Sequence, residues 1–171
     1  MKISKNVSVC AMLVALAMIC SYVESMIPVN FGIPGVKLGL ANLVTIIALY
    51  LIPPWEVLAI VITRILLMGF MFGNGMSILY SLAGGILSFI VMLLMRKAKG
   101  FSIIGVSIAG GISHNVGQIF VAVCVVENLK LIYYLPALLI SGTITGALIG
   151  MIAGRIQHII RRQAFETIGK V

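Results

Sequence analysis

Six apolar stretches of helical length, nearly free of charge, run through this chain and leave little sequence between them. They cover about residues 6–27, 37–52, 55–72, 76–95, 102–126 and 131–153. Breakers separate them: Pro28, the pair Pro53-Pro54, and the turn Gly73-Asn74-Gly75. A bilayer core about 30 Å thick needs about 20 apolar residues per helical crossing. Inside it every backbone N–H and C=O must be satisfied within the protein, which leaves helices or closed barrels. None of the stretches shows the ten-residue alternation of a barrel strand. The expected class is therefore an all-α polytopic membrane protein with six transmembrane helices. Six crossings nearly exhaust 171 residues, so residues 1–171 are expected to form a single six-helix domain. With only 9% charged residues the chain lacks the polar surface of a soluble enzyme, which carries about 25%.

The acidic residues exclude a further class. They are Glu24, Glu56, Glu127 and Glu166, and there is no aspartate. Mg²⁺-diphosphate chemistry needs carboxylates clustered around the metal, and four scattered glutamates supply no such motif. Cys10, Cys20 and Cys124 show no CxxC spacing and read as small hydrophobes, without a disulfide framework or a zinc site. No metal or cofactor is expected.

Net charge is +8, and its distribution reads as topology rather than nucleic-acid binding. With the N-terminus inside, the cytoplasmic side receives Lys2, Lys5, Arg96, Lys97, Lys99, Arg155, Arg161, Arg162 and Lys170. The outer side receives Lys37 and Lys130 only, and Arg64 lies within a span. Positive residues concentrate in cytoplasmic loops, so both ends are expected in the cytoplasm of a multi-pass cell-membrane protein. Lys2 and Lys5 before an apolar run resemble a signal peptide, but five further spans follow and the first is read as retained.

Ionisable and amide side chains inside a bilayer are candidates for function. In this topology Glu24, Lys37, Asn42, Arg64, His114, Asn115 and Gln118 fall at mid-membrane or above, towards the outside. Ser107, Gly111, His114 and Gln118, spaced 4, 3 and 4 apart, share one stripe of the fifth span. Arg64 suits a carboxylate or phosphate, which its planar fork holds with two parallel hydrogen bonds. Two structural alternatives stand beside this: a permanent Arg64–Glu24 ion pair, and amides and imidazole acting as helix glue at about 0.6 kcal/mol per bond.

Small residues add packing signals. Gly142, Gly146, Gly150 and Gly154 recur every fourth residue, a ridge suited to close helix packing. Gly84, Gly85 and Ser88 mark a close approach in the fourth span. Ala11 and Ala15 form a small-xxx-small pair suited to an internal contact or a partner subunit.

The run PGVKLGLAN (34–42), Arg64, the Gly84-Gly85-x-x-Ser88 step and GVSIAGGISHNVGQ (105–118) resemble the Gx transporter family, also labelled heptaprenyl diphosphate synthase component I. The layout is similar to the substrate-binding S components of energy-coupling factor transporters. That resemblance implies a solute site on the outer side under the first loop, here residues 29–36. It also implies that the Ala11/Ala15 face meets a transmembrane coupling subunit driven by ATPases. The chain has no Walker lysine loop of its own. The synthase label implies instead a non-catalytic membrane subunit of polyprenyl diphosphate synthesis, because the two aspartate-rich motifs of a catalytic subunit are absent. The reading that follows is a non-enzymatic transport protein that captures a small solute, with Arg64 for an anionic group, Asn42, His114, Asn115 and Gln118 as hydrogen-bonding partners, and Lys37 and Glu24 nearby. A purely structural membrane scaffold is the third reading.

Overall fold

The computed structural model describes residues 2–26, 39–98 and 100–168. They form six α-helices: α1 (Lys2–Met26), α2 (Asn42–Leu51), α3 (Pro54–Phe72), α4 (Gly75–Lys97), α5 (Ile103–Val126) and α6 (Leu135–Ile168). A short 3-10 helix, Leu129–Tyr134, leads into α6. There is no strand among the described residues. The protein is an all-α membrane bundle.

Helix boundaries follow local chemistry. Pro53 and Pro54 open α3, where a missing N–H costs nothing. The side chain of Asn74 accepts from the N–H of Ser77 at 2.8 Å, and that of Ser102 from Gly105 at 3.1 Å, capping α4 and α5. Pro136 in the first turn of α6 explains why the expected sixth span begins as a 3-10 segment and turns α-helical only at Leu135. Helix α6 runs on to Ile168, with Ile149, Ala153 and Gln157 forming one buried stripe along it.

Five helices are long and apolar enough to cross a membrane. The exception is α2, with ten residues, which rises about 15 Å, half the hydrocarbon thickness. Its end is fixed where Arg96 donates Nη1 to the Leu49 carbonyl and lays its guanidinium 5.1 Å over the Tyr50 ring. Pro53 then prevents continuation.

Named contacts set the directions. Cys10 meets Glu56, Ser21 meets Arg64, and the Tyr22 and Phe72 rings lie 5.1 Å apart, so α1 and α3 run parallel. Ser88 donates to the Gly110 carbonyl at 2.8 Å, and Asn115 donates to that of Leu138 at 2.6 Å. With Gly84 against His114, and Gly150 against Ile104, they make α4 and α5, and α5 and α6, antiparallel. The starts of α1, α3 and α5 therefore share one end of the bundle with the ends of α2, α4 and α6.

Two apolar cores fill the two ends. One gathers Leu13, Ala17, Ile46, Leu49, Val57, Phe89, Met92 and Val106; the other Tyr80, Ile119, Ala122 and Leu138. On α5, His114 falls between Val106 of the first and Ile119 of the second. The polar residues thus separate two dry layers. The outer surface is apolar, with Phe70, Phe120, Trp55 and Ile140 exposed to lipid.

The glycine ridge of α6 packs on α5. A Cβ at Gly142 would lie 2.8 Å from the Gly111 carbonyl oxygen; at Gly146 or Gly150 it would lie 2.7 Å from the Cα of Ile108 or Ile104. Gly154, the fourth of the series, meets nothing within 4 Å.

Candidate functional site

The buried stripe of α1, Leu13, Ala17, Ser21 and Glu24, ends in two polar residues that face the bundle. On α3 the stripe Val57, Ile60, Arg64 and Met68 does the same for one cation. Arg64 is 6% exposed and donates Nη1 to Ser21 Oγ at 3.1 Å. Its Nε has no hydrogen-bond partner among the described residues. The Glu24 carboxylate attracts it electrostatically while accepting a hydrogen bond from the Gly39 backbone N–H.

Gly39 brings in the start of α2 and the middle of α5. Its φ of +88° is left-handed backbone that suits glycine. A Cβ there would lie 3.1 Å from His114 Cδ2 and 3.2 Å from Asn42 Nδ2, so ring and amide both border this backbone. Asn42 is 4% exposed, and its Nδ2 has no partner among the described residues.

The Gly84-Gly85 pair opens α4 towards both groups. A Cβ at Gly84 would lie 2.9 Å from His114 Nδ1 and 2.9 Å from Gln118 Cγ. A Cβ at Gly85 would lie 3.9 Å from Arg64 Nη2. The result is a buried cluster of Ser21, Glu24, Asn42, Arg64, His114 and Gln118, built from four helices around two glycines of a fifth. It offers one cation, one carboxylate, two amides and an imidazole. No group of three or more His, Cys, Asp or Glu that could hold a metal occurs among the described residues.

Asn115 does not join this cluster. Its Nδ2 donates to the Leu138 carbonyl and lies 3.4 Å from Ser141 Oγ, which makes it a clamp between α5 and α6. Ser107 and Gly111 of the expected stripe also abut α6, against Gly150 and Gly142, whereas His114 and Gln118 reach α4. Helix α5 packs against neighbours on two sides, so one stripe serves both. Lys37 and the segment 29–36 lie outside the described residues.

Two features escaped the sequence reading. Ser21 is the acceptor for Arg64; its place in the 4-4-3 stripe from Leu13 to Glu24 was the available signal. Glu56, only 6% exposed, accepts a hydrogen bond from the Cys10 thiol at 3.5 Å. It lines a groove of about 560 Å³ between α1 and α3, together with Ala11, Val14, Trp55 and Thr63. Ala11 and Ala15 are exposed, on the opposite face of α1 from Leu13 and Ala17.

A family model described as heptaprenyl diphosphate synthase component I matches residues 13–156, which include every residue of the cluster. The chain belongs to that family. No curated protein and no solved structure matches it. The family's description names a component of a synthase, which fits a chain working with partner subunits.

Proposed function

We propose that this protein is the solute-binding subunit of a membrane uptake system, and that its ligand carries an anionic group. The observation that supports this most is Arg64, nine-tenths buried, with one hydrogen bond given to Ser21 and Nε without a partner among the described residues. A buried guanidinium is costly unless an anion and hydrogen bonds satisfy it. Its fork is matched by a carboxylate or phosphate. Asn42, with a free amide hydrogen-bonding group among the described residues, stands ready to fix the ligand's orientation.

Ligand capture from outside rests on the charge bias, which favours both termini in the cytoplasm of a cell-membrane protein. The common end shared by the start of α1 and the end of α6 is compatible with it. Energy comes from partner ATPases through a coupling subunit seated on the exposed Ala11/Ala15 face, as in energy-coupling factor systems. The family's description favours a second reading, a non-catalytic membrane subunit of heptaprenyl diphosphate synthesis. In that reading the Arg64 cluster holds the diphosphate.

Mass spectrometry of small molecules that co-purify with the protein tests both. A polar metabolite lost in Arg64→Lys supports uptake. A prenyl diphosphate lost in the same variant transfers the site to the second reading. A protein that retains no small molecule, with Arg64→Lys changing only its stability, overturns both.

A further inference from the structure

The seam between α5 and α6 opens at the end of the bundle where the chain begins. The glycine ridge of α6 packs closely on α5 as far as Gly150, and at Gly154 a Cβ would meet nothing within 4 Å. A groove of about 620 Å³ results, lined by Ile104, Leu148, Met151 and Ile152, with Arg155 and His158 at one end. Arg155 and His158 stand three residues apart on α6, hence on one face. Both residues are exposed.

Depth decides what such a groove can take. Counted from Leu135 at the start of α6, 20 residues rise about 30 Å, the thickness of the hydrocarbon core. Arg155 therefore stands where hydrocarbon gives way to headgroups, and Leu148 to Ile152 lie within the acyl region. An apolar slot that ends at a cation and an imidazole donor at headgroup depth matches an amphiphile with a phosphate at one end. Basic pockets between transmembrane helices bind anionic headgroups by this arrangement.

We infer that the α5/α6 groove is a binding site for one anionic phospholipid, its acyl chain along Met151 and over Gly154 and its phosphate on Arg155 and His158. The site is separate from the Arg64 cluster and does not depend on the function proposed for it. It gives the open end of the seam, where a Cβ at Gly154 would meet nothing within 4 Å, a hydrocarbon filling.

Native mass spectrometry of the full-length protein, titrated with phosphatidylglycerol or phosphatidylcholine, tests the assignment. One phosphatidylglycerol should be retained in preference to phosphatidylcholine. Arg155→Gln should weaken that retention about fivefold, as expected for one charge near the headgroups. Lys97→Gln removes a charge at the same end of the bundle but outside the groove and should change it little. Gly154→Leu should fill the groove and abolish retention while leaving the melting temperature unchanged. Equal binding of the two lipids, or equal effects of Arg155→Gln and Lys97→Gln, would show diffuse attraction and overturn the site. Retention by folded Gly154→Leu, or displacement of the lipid by inorganic phosphate alone, would overturn the acyl groove. Should Gly154→Leu fail to fold, the comparison of Arg155→Gln with Lys97→Gln decides the matter.

Discussion

The Glu24 carboxylate accepts a hydrogen bond from the backbone N–H of Gly39, joining the last turn of α1 to the approach to α2. This bond stands beside Arg64, whose charge the same carboxylate attracts. One glutamate thus serves the backbone of the short helix and the charge of the long one.

That double role gives a first prediction. Gly39→Ala adds a Cβ at φ +88° and within 3.2 Å of Asn42 and His114. Left-handed backbone alone costs a non-glycine residue about 1–2 kcal/mol, so the variant should melt several degrees lower. Glu24→Ala should lose more, because a hydrogen bond to a charged group contributes about 1.5–3 kcal/mol. Thermal melts in detergent check the order, and a Gly39→Ala protein as stable as wild type would contradict the backbone geometry.

Arg64 separates a ligand site from a structural ion pair. Arg64→Lys keeps the charge and loses the planar fork. Under the proposed function, Arg64→Lys and Arg64→Gln both lose the co-purifying ligand with little change in melting temperature. A structural pair behaves otherwise: removing one partner costs about 3–5 kcal/mol, so Arg64→Gln and Glu24→Gln would both melt early while ligand retention per folded molecule stays normal. Measuring both quantities on each variant distinguishes the cases.

Two faces of small residues should respond in opposite ways to bulk. At Gly146 the neighbours are the backbone of Ile108 and Ser107, 2.7 and 2.9 Å from an added Cβ, and backbone cannot step aside. Gly146→Leu should destabilise the bundle by at least about 1–3 kcal/mol, the usual cost of overpacking. Ala11 is exposed, so Ala11→Trp should leave the isolated protein folded and block assembly with a coupling subunit. Pull-down of membrane partners together with thermal melts reads both. An unfolded Ala11→Trp beside an intact Gly146→Leu would reverse the assignment.

Orientation is checked by single cysteines at Asn128 and Ala98, in a protein lacking Cys10, Cys20 and Cys124. The charge bias predicts that an impermeant thiol reagent labels position 128 from outside and leaves position 98 untouched. The reverse pattern would invert the membrane topology and put the Arg64 cluster on the cytoplasmic side.

The sequence by itself determined that this chain is an α-helical membrane bundle. Apolar runs of span length and the cost of an unsatisfied backbone in lipid leave few other folds. The resemblance of residues 34–42 and 105–118 also pointed to the family that the match over residues 13–156 shows. Periodicity placed His114 and Gln118 on one stripe facing away from lipid, and depth placed Arg64 near mid-membrane. Neither said which neighbour each face meets. Only tertiary structure decided that Asn115 turns to α6 while His114, one residue away, turns to Gly39 and Gly84, because one residue is 100° of helix. Only tertiary structure gave Arg64 its acceptor in Ser21, 43 residues away. The shortness of α2 was likewise hidden, since hydropathy registers apolar residues whether or not their backbone is helical. It took Arg96 on the Leu49 carbonyl, at one end, and Gly39 on Glu24, at the other, to show how a ten-residue helix is held among five long ones.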